Sequence, residues 1–274
     1  MFSKATKKKS KLRLLFEGAS GSGKTYSSLI AATALGKKIA VIDTEKGSAS
    51  LYSDRFNFDV CELLPPYTPE AYIEAIKGAE DLGYDVIVID SITHEWSGEG
   101  GCLEIQQKLG GTYNDWAKVT PRHEKFKEAI LRSGCHVVAT ARTKTDYVVE
   151  LNSRGKHAPK KVGMKTEQRE GLDFEFTTVL RVNENHLFSS SKDRTGLFDG
   201  KEAVFTEDHG LLLVNWLNDG EDAEEKYLKQ IKNAMSVEEL RDIYKRIPRE
   251  DTKKKCLSAI EERKKQLDMV SKDD

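Results

Sequence analysis

With 274 residues the chain has room for one large domain with an appendage, or for two small ones, and 38% hydrophobic residues are enough for a packed core. A net charge of −1 excludes whole-molecule attraction to nucleic acid, so any polyanion site must be a local patch. No apolar run reaches the roughly 18 residues of a membrane span, and Cys61, Cys102, Cys135 and Cys256 form no CxxC pair, which argues for reduced thiols in a cytoplasmic compartment and against a disulfide scaffold or a zinc knuckle.

The chain opens on MFSKATKKKSKLR, basic but without the apolar segment of a secretory signal, so residues 1–11 read as a tail, either solvated or touching phosphate. LRLLFE (12–17) is a short apolar strand, and SSLIAATAL continues as a helix to Gly36. Between them GASGSGKT (18–25) fits GxxxxGK[ST] in full, in the strand–loop–helix context that the motif needs. Gly18, Ala19, Ser20, Gly21, Ser22 and Gly23 supply backbone N–H groups for phosphate oxygens, with the helix N-terminus behind them and Tyr26 just beyond. Lys24 reaches the β and γ phosphates, and Thr25 offers its hydroxyl to Mg²⁺. No NKxD-type guanine reader follows, which favours ATP over GTP.

KKIAVID (37–43) is the next strand, ending at Asp43 with Glu45 two residues on. A carboxylate there can lean over a γ-phosphate and orient a water for in-line attack; equally, Glu45 can be a surface or capping acid. FDVCELL (58–64) reads as another strand, and PEAYIEAIKGAEDLG as a helix opened by Pro69 and ended near Gly83. YDVIVID (84–90) is apolar on both faces, as buried parallel strands are, and its final Asp90 is placed to hold Mg²⁺. A long connection follows, ITHEWSGEGGCLEIQQKLGGTYNDWAK, with glycine pairs and two tryptophans, Trp96 and Trp116. TPRHEKFKEAILRSG predicts a helix with Thr120 as N-cap and Pro121 in the first position, and CHVVATA (135–141) a further buried strand.

The second long connection, TKTDYVVELNSRGKHAPKKVGMKTEQR, carries Lys144, Arg154, Lys156, Lys160, Lys161, Lys165 and Arg169, with Tyr147 and His157. It also reads as a hairpin, DYVVE against KKVGM, with cations that are merely solvated or are presented by the hairpin. DFEFTTVLRV and HLFSSSK are late strands turning at Asn183 to Asn185, and SSSKDRTGLF puts Lys192 and Arg194 on one face of an extended chain. From about residue 220 half of the residues are charged with balanced signs, and apolar residues recur at helical spacing: Tyr227, Ile231, Leu240, Ile243, Ile247, Leu257, Ile260 and Leu267. The alternation of strands and helices predicts an α/β core of mostly parallel sheet flanked by helices over 12–219, and a helical appendage over 220–274 broken around Pro248.

Three stretches together, IAVIDTEKGSASLY, VIVIDSITHEW and SSKDRTGLF, resemble the RecA-like recombinase ATPases in their D-x-E after the phosphate-loop helix, their Asp90-Ser91 pair and their K-x-R-x-G. With FEGASGSGKT, VVATARTKTDY and KKVGMKTEQREGLDFEFTTVL, residues 12–218 look like the phage-encoded RecA-core ATPases of the Sak type, associated with single-strand annealing and recombination. The resemblance implies that Glu45 is the catalytic base. It implies that Lys192 and Arg194 reach the γ-phosphate of a neighbouring subunit, so that ATP lies at the interfaces of a homo-oligomer. It implies that the two long connections bind single-stranded DNA. Arg142 stands where the family carries a polar residue that senses nucleotide state; the recombinase RecA has glutamine there, so this chain departs from the pattern. The expectation is an ATP-hydrolysing, single-stranded-DNA-binding oligomer of phage recombination in the host cytoplasm. A nucleotide-gated loading module docking on a recombination or replication partner through 220–274 is the alternative, and a small-molecule phosphotransferase a third reading.

Overall fold

The computed structural model describes residues 10–151, 157–219, 223–247 and 250–270, and they form two compact units, residues 11–215 and the segment from 216 onward. In the first unit, in chain order, lie β1 (Arg13–Gly18), α1 (Lys24–Leu35), β2 (Ile39–Asp43), β3 (Asp59–Glu62), α2 (Pro69–Asp81), β4 (Val86–Asp90), α3 (Thr93–Ser97), α4 (Cys102–Lys108), α5 (Trp116–Arg132), β5 (His136–Leu151), β6 (His157–Thr166), β7 (Thr178–Val182), β8 (Leu187–Asp193) and β9 (Glu202–Val204). The sheet runs β3-β2-β4-β5-β1-β7-β8-β9, parallel as far as β7 and antiparallel beyond, and β6 pairs antiparallel with β5 off this path. This is the mostly parallel, helix-flanked α/β architecture expected.

Burial explains the apolar runs: every residue of β1, β2 and β4 is buried, because helices cover both faces of the sheet. On one side Leu15, Ile42, Ile87, Ile89 and Val137 pack with Tyr72 and Ile76 of α2 and Phe126 and Ile130 of α5. Elsewhere an aromatic group gathers Phe16, Phe188, Phe198 and Phe205 at centroid spacings of 5.1–6.4 Å. α2 begins as its sequence dictates, with Thr68 Oγ1 accepting from the Ala71 N–H and Pro69 in the first turn. The carbonyls at the C-terminal end of α5 are met by Arg13, which donates Nη2 to Leu131 O and Ser133 O and Nη1 to Cys135 O.

Two expectations are corrected. α5 starts at Trp116, so Thr120 is not an N-cap and Pro121 lies inside the helix. The start is set a turn earlier by a capping box, Thr112 with Asp115, and Pro121, past the first turn, leaves one backbone hydrogen bond of α5 unmade. The connection after Asp90 is no open loop: it folds into α3, ended at Gly98, and α4, which its two glycine pairs flank.

α6 (Glu207–Asn218) runs across the division between the units. The second unit holds α7 (Ala223–Asn233), α8 (Val237–Arg246) and α9 (Glu250–Val270), packed around Ile231, Ala234, Leu240, Ile243, Ile247 and Cys256. Leu257 is exposed, and its neighbour Cys256 takes the core position. Pro248 lies outside the described residues. No helix among the described residues is long and apolar enough to cross a membrane.

Candidate nucleotide site

The loop from Gly18 to Thr25 leaves the buried end of β1 and enters α1. Gly18 is required by close approach: a Cβ there would lie 2.3 Å from the Val182 carbonyl oxygen and 2.7 Å from Ser22 Oγ. Gly23 caps α1 at φ 92°, a left-handed conformation that costs glycine nothing. Ala19 is half-buried and Ser20 exposed at the crest of the loop. Lys24 is buried and donates Nζ to Ala19 O at 2.7 Å. Burial lowers its pKa, and the carboxylates of Asp90 and Glu45 oppose that shift. Ser22 Oγ is buried without a hydrogen-bond partner among the described residues. An unpartnered hydroxyl, a buried lysine on a backbone carbonyl and a glycine cradle fit a polyphosphate.

β4 brings Asp90 to the same place. Thr25 Oγ1 donates to its Oδ2 at 2.6 Å, and Thr140 of β5 donates to its Oδ1. Burial raises the pKa of Asp90, against the pull of the Thr140 and Thr25 hydroxyls. Oxygen donors side by side suit Mg²⁺, a hard cation, and Thr25 and Asp90 are the residues that would hold it. Asp43 serves the backbone: Oδ1 accepts from the Glu45 N–H at 2.6 Å and Oδ2 from the Ala49 N–H at 3.0 Å, which fixes the turn presenting Glu45. The Glu45 carboxylate accepts from Ser91 Oγ at 3.1 Å and from a two-pronged Arg142, Nε to Oε1 at 3.1 Å and Nη2 to Oε2. Arg142 is thus the ionic partner of Glu45, a contact 97 residues apart in sequence that no local pattern announces.

Tyr52, Arg55 and His186 escaped the sequence reading. With Tyr26 they line a cavity of about 380 Å³ beside Lys24 and Thr25. The Tyr26 ring packs on Tyr52 at 5.6 Å and on Phe56 at 5.4 Å. His186, at φ 63° in the β7–β8 turn, sets Nδ1 3.0 Å from Ser22 O. The one available signal was the turn itself, since such short connections admit left-handed residues.

The hairpin reading of the basic connection holds, with Lys144 directly opposite Lys165 and Val148 opposite Lys160. A cavity of about 1110 Å³ at its base is lined by Lys144, Lys165 and Arg169 together with Trp96, Tyr113 and Trp116. Trp96 and Trp116 stack at 5.4 Å, and the Arg169 guanidinium lies 6.0 Å from the Trp116 ring centre. Lys165 Nζ is 3.5 Å from Glu170. Arg154 and Lys156 lie outside the described residues, as do the side chains of Tyr147, His157, Lys160 and Lys161.

Lys192 and Arg194 sit at the other end of the sheet. Lys192 pairs with Val179 and Asp193 with Thr178, whereas the phosphate loop leaves beside Val182. Both cations donate to the carbonyl oxygen of Phe174, Arg194 Nη2 at 3.2 Å, and they do not meet their own chain's phosphate loop. Burial, then the charge of Arg194, lowers the Lys192 pKa.

A Walker-type loop between β1 and α1, an acid ending a buried parallel strand beside its Thr25, and a helix-flanked sheet define a P-loop nucleoside triphosphatase. Residues 10–209 match the AAA domain family, and the chain belongs to it; nucleotide binding and hydrolysis are the activity of that class. No curated protein matches the chain.

Proposed function

We propose that the chain hydrolyses ATP as a homo-oligomer bound to single-stranded DNA, in phage recombination or annealing. The observation that carries the DNA reading is the pair Lys144 and Lys165, directly opposed across the hairpin base beside Trp116 and Tyr113. Like charges in that position destabilise a strand pair unless an anion offsets them; Glu170, 3.5 Å from Lys165, does so in part, and a phosphate against Lys144 and Lys165 would complete it. Aromatic faces flanked by cations suit unpaired bases on a phosphate backbone. The phage setting rests on the sequence resemblance.

In this reading the phosphate-loop amides and Lys24 bind the triphosphate, and Tyr26 with Tyr52 borders the rest of the nucleotide. Thr25 and Asp90 would hold Mg²⁺, which would supply positive charge against the phosphate oxygens. Glu45, once released by Arg142, takes the proton of the attacking water, and Ser91 keeps its carboxylate aimed. Lys192 and Arg194 of an adjoining copy neutralise charge that develops in the transition state, so hydrolysis depends on assembly.

The test is the ATPase rate per chain at rising protein concentration, with and without a single-stranded oligonucleotide. The rate should climb with concentration and again with DNA; a rate indifferent to both overturns the reading. A loading module with slow turnover is the second reading, favoured by the groove between α8 and α9 that Leu240, Tyr244, Leu257 and Ile260 line. Turnover that rises only with a partner protein would select it.

A further inference from the structure

The three helices that follow Asp90 meet at a cluster for which the nucleotide chemistry has no use. Glu95 on α3, Cys102 on α4 and His123 on α5 are 0%, 0% and 2% exposed. Cys102 Sγ lies 3.0 Å from Glu95 Oε1, and His123 Nδ1 lies 3.1 Å from Oε1 and 3.2 Å from Oε2. One ligand atom from each residue falls within 4.8 Å of the other two. Gln168 Nε2 adds a donor to Oε2 at 3.2 Å. No lysine or arginine bonds to Glu95 among the described residues, although the charge of Arg122 is felt there through space; the groups that touch this buried carboxylate are a thiol, an imidazole and an amide. A carboxylate taken wholly out of water needs a countercharge.

We propose that Glu95, Cys102 and His123 bind a zinc ion. One thiolate sulfur, one imidazole nitrogen and one carboxylate oxygen are the donor types zinc takes, and sulfur argues against magnesium or calcium. A tetrahedral centre with ordinary zinc bond lengths sets sulfur and oxygen about 3.5 Å apart, and nitrogen and oxygen about 3.3 Å. The observed separations are short of these by roughly half an ångström or less, an adjustment that side chains on three separate helices can make. The ion displaces the thiol proton to solvent, and the thiolate and carboxylate together neutralise it, so the filled site adds no net charge to the interior. Gln168 is not a ligand: its Nε2 donates to Ile92 O at 2.8 Å and its Oε1 accepts from the Arg169 N–H at 2.7 Å. Its amide instead holds the second oxygen of Glu95, as outer groups do around metal sites. A water completes the coordination. The ion would clamp α3, α4 and α5 together directly beneath the aromatic groove, where His123 meets the edge of Trp96 at 5.6 Å. The ligand spacing along the chain fits no short metal motif, so the cysteine pattern, which argued only against a zinc knuckle, gave no sign of it. The proposal stands apart from the DNA reading.

The test uses the full-length chain without an affinity tag. After chelation and dialysis against zinc, elemental analysis should find one zinc per chain, and cobalt loading should give a thiolate-to-cobalt charge-transfer band in the near ultraviolet. Both should vanish in Cys102→Ser and His123→Ala and persist in Cys61→Ser, and chelation should lower the Tm of the wild type. A wild type that takes up no stoichiometric zinc and shows no thiolate band refutes the site, whatever the variants do. So does a folded Cys102→Ser that keeps the metal and the band.

Discussion

Arg142 grips the Glu45 carboxylate with two donors and Ser91 adds a third, so the acid is held in place and engaged until Arg142 lets it go. Glu45→Gln is expected to bind ATP normally and to lose turnover by on the order of 10²-fold or more, measured by equilibrium nucleotide binding beside steady-state phosphate release. Unchanged turnover would remove Glu45 as the base. Lys24→Ala should abolish nucleotide binding itself, since the buried ammonium has its place only against phosphate or Ala19 O. At this scale the phosphate loop was legible because glycine spacing is a local code. The Arg142–Glu45 pair and the Thr140–Asp90 bond were not, because strand order, not sequence distance, brings them together. Asp43 read as a second acid at the site, yet its oxygens serve two backbone amides.

Strand β5 carries a second titration. His136 Nδ1 accepts the Leu12 N–H at 3.0 Å, which needs an unprotonated nitrogen. Burial first, then the charges of Lys11 and Arg13, holds the ring pKa down to about 4 from its ordinary 6.5. The unfolded chain therefore binds more protons in that window, and stability falls as pH drops from 6.5 toward 4. Between pH 6.5 and 5 the loss should be about 1 kcal/mol, allowing for partial exposure, and His136→Gln, which keeps an acceptor, should flatten it in urea titrations. On the same strand, Lys144→Ala should weaken single-stranded-DNA binding, lower the slope of affinity against salt by about 1, and leave ATP binding intact. An unaltered slope would take Lys144 off the DNA path. Strands read well at this scale because VIVID and IAVID are buried on both faces, whereas α3 and α4 hid behind glycine pairs that read as loop, and Pro121 was taken for a helix start when the Thr112–Asp115 box had already begun α5.

For the molecule as a whole, the separation of Lys192 and Arg194 from their own phosphate loop bears on assembly. Mixing Arg194→Ala with Glu45→Gln protein should restore ATPase activity that neither has alone, because some interfaces then combine an intact base with an intact cation. Failure to recover at any mixing ratio counts against shared sites. The α/β class and the turn between β7 and β8 were readable from the rhythm of elements, while the distance of this pair from the phosphate loop was not, since it depends on β7 lying parallel beside β1.

β5 runs unbroken from the core of the sheet to the hairpin, so the arginine that holds Glu45 and the lysine that faces the groove ride two residues apart on one rigid rod. Whatever tilts that rod at one place tilts it at the other. In the proposed reading, where the groove takes a polyanion, thermodynamic reciprocity fixes a symmetry: the factor by which a nucleotide changes the grip on the polyanion is the factor by which the polyanion changes the grip on the nucleotide.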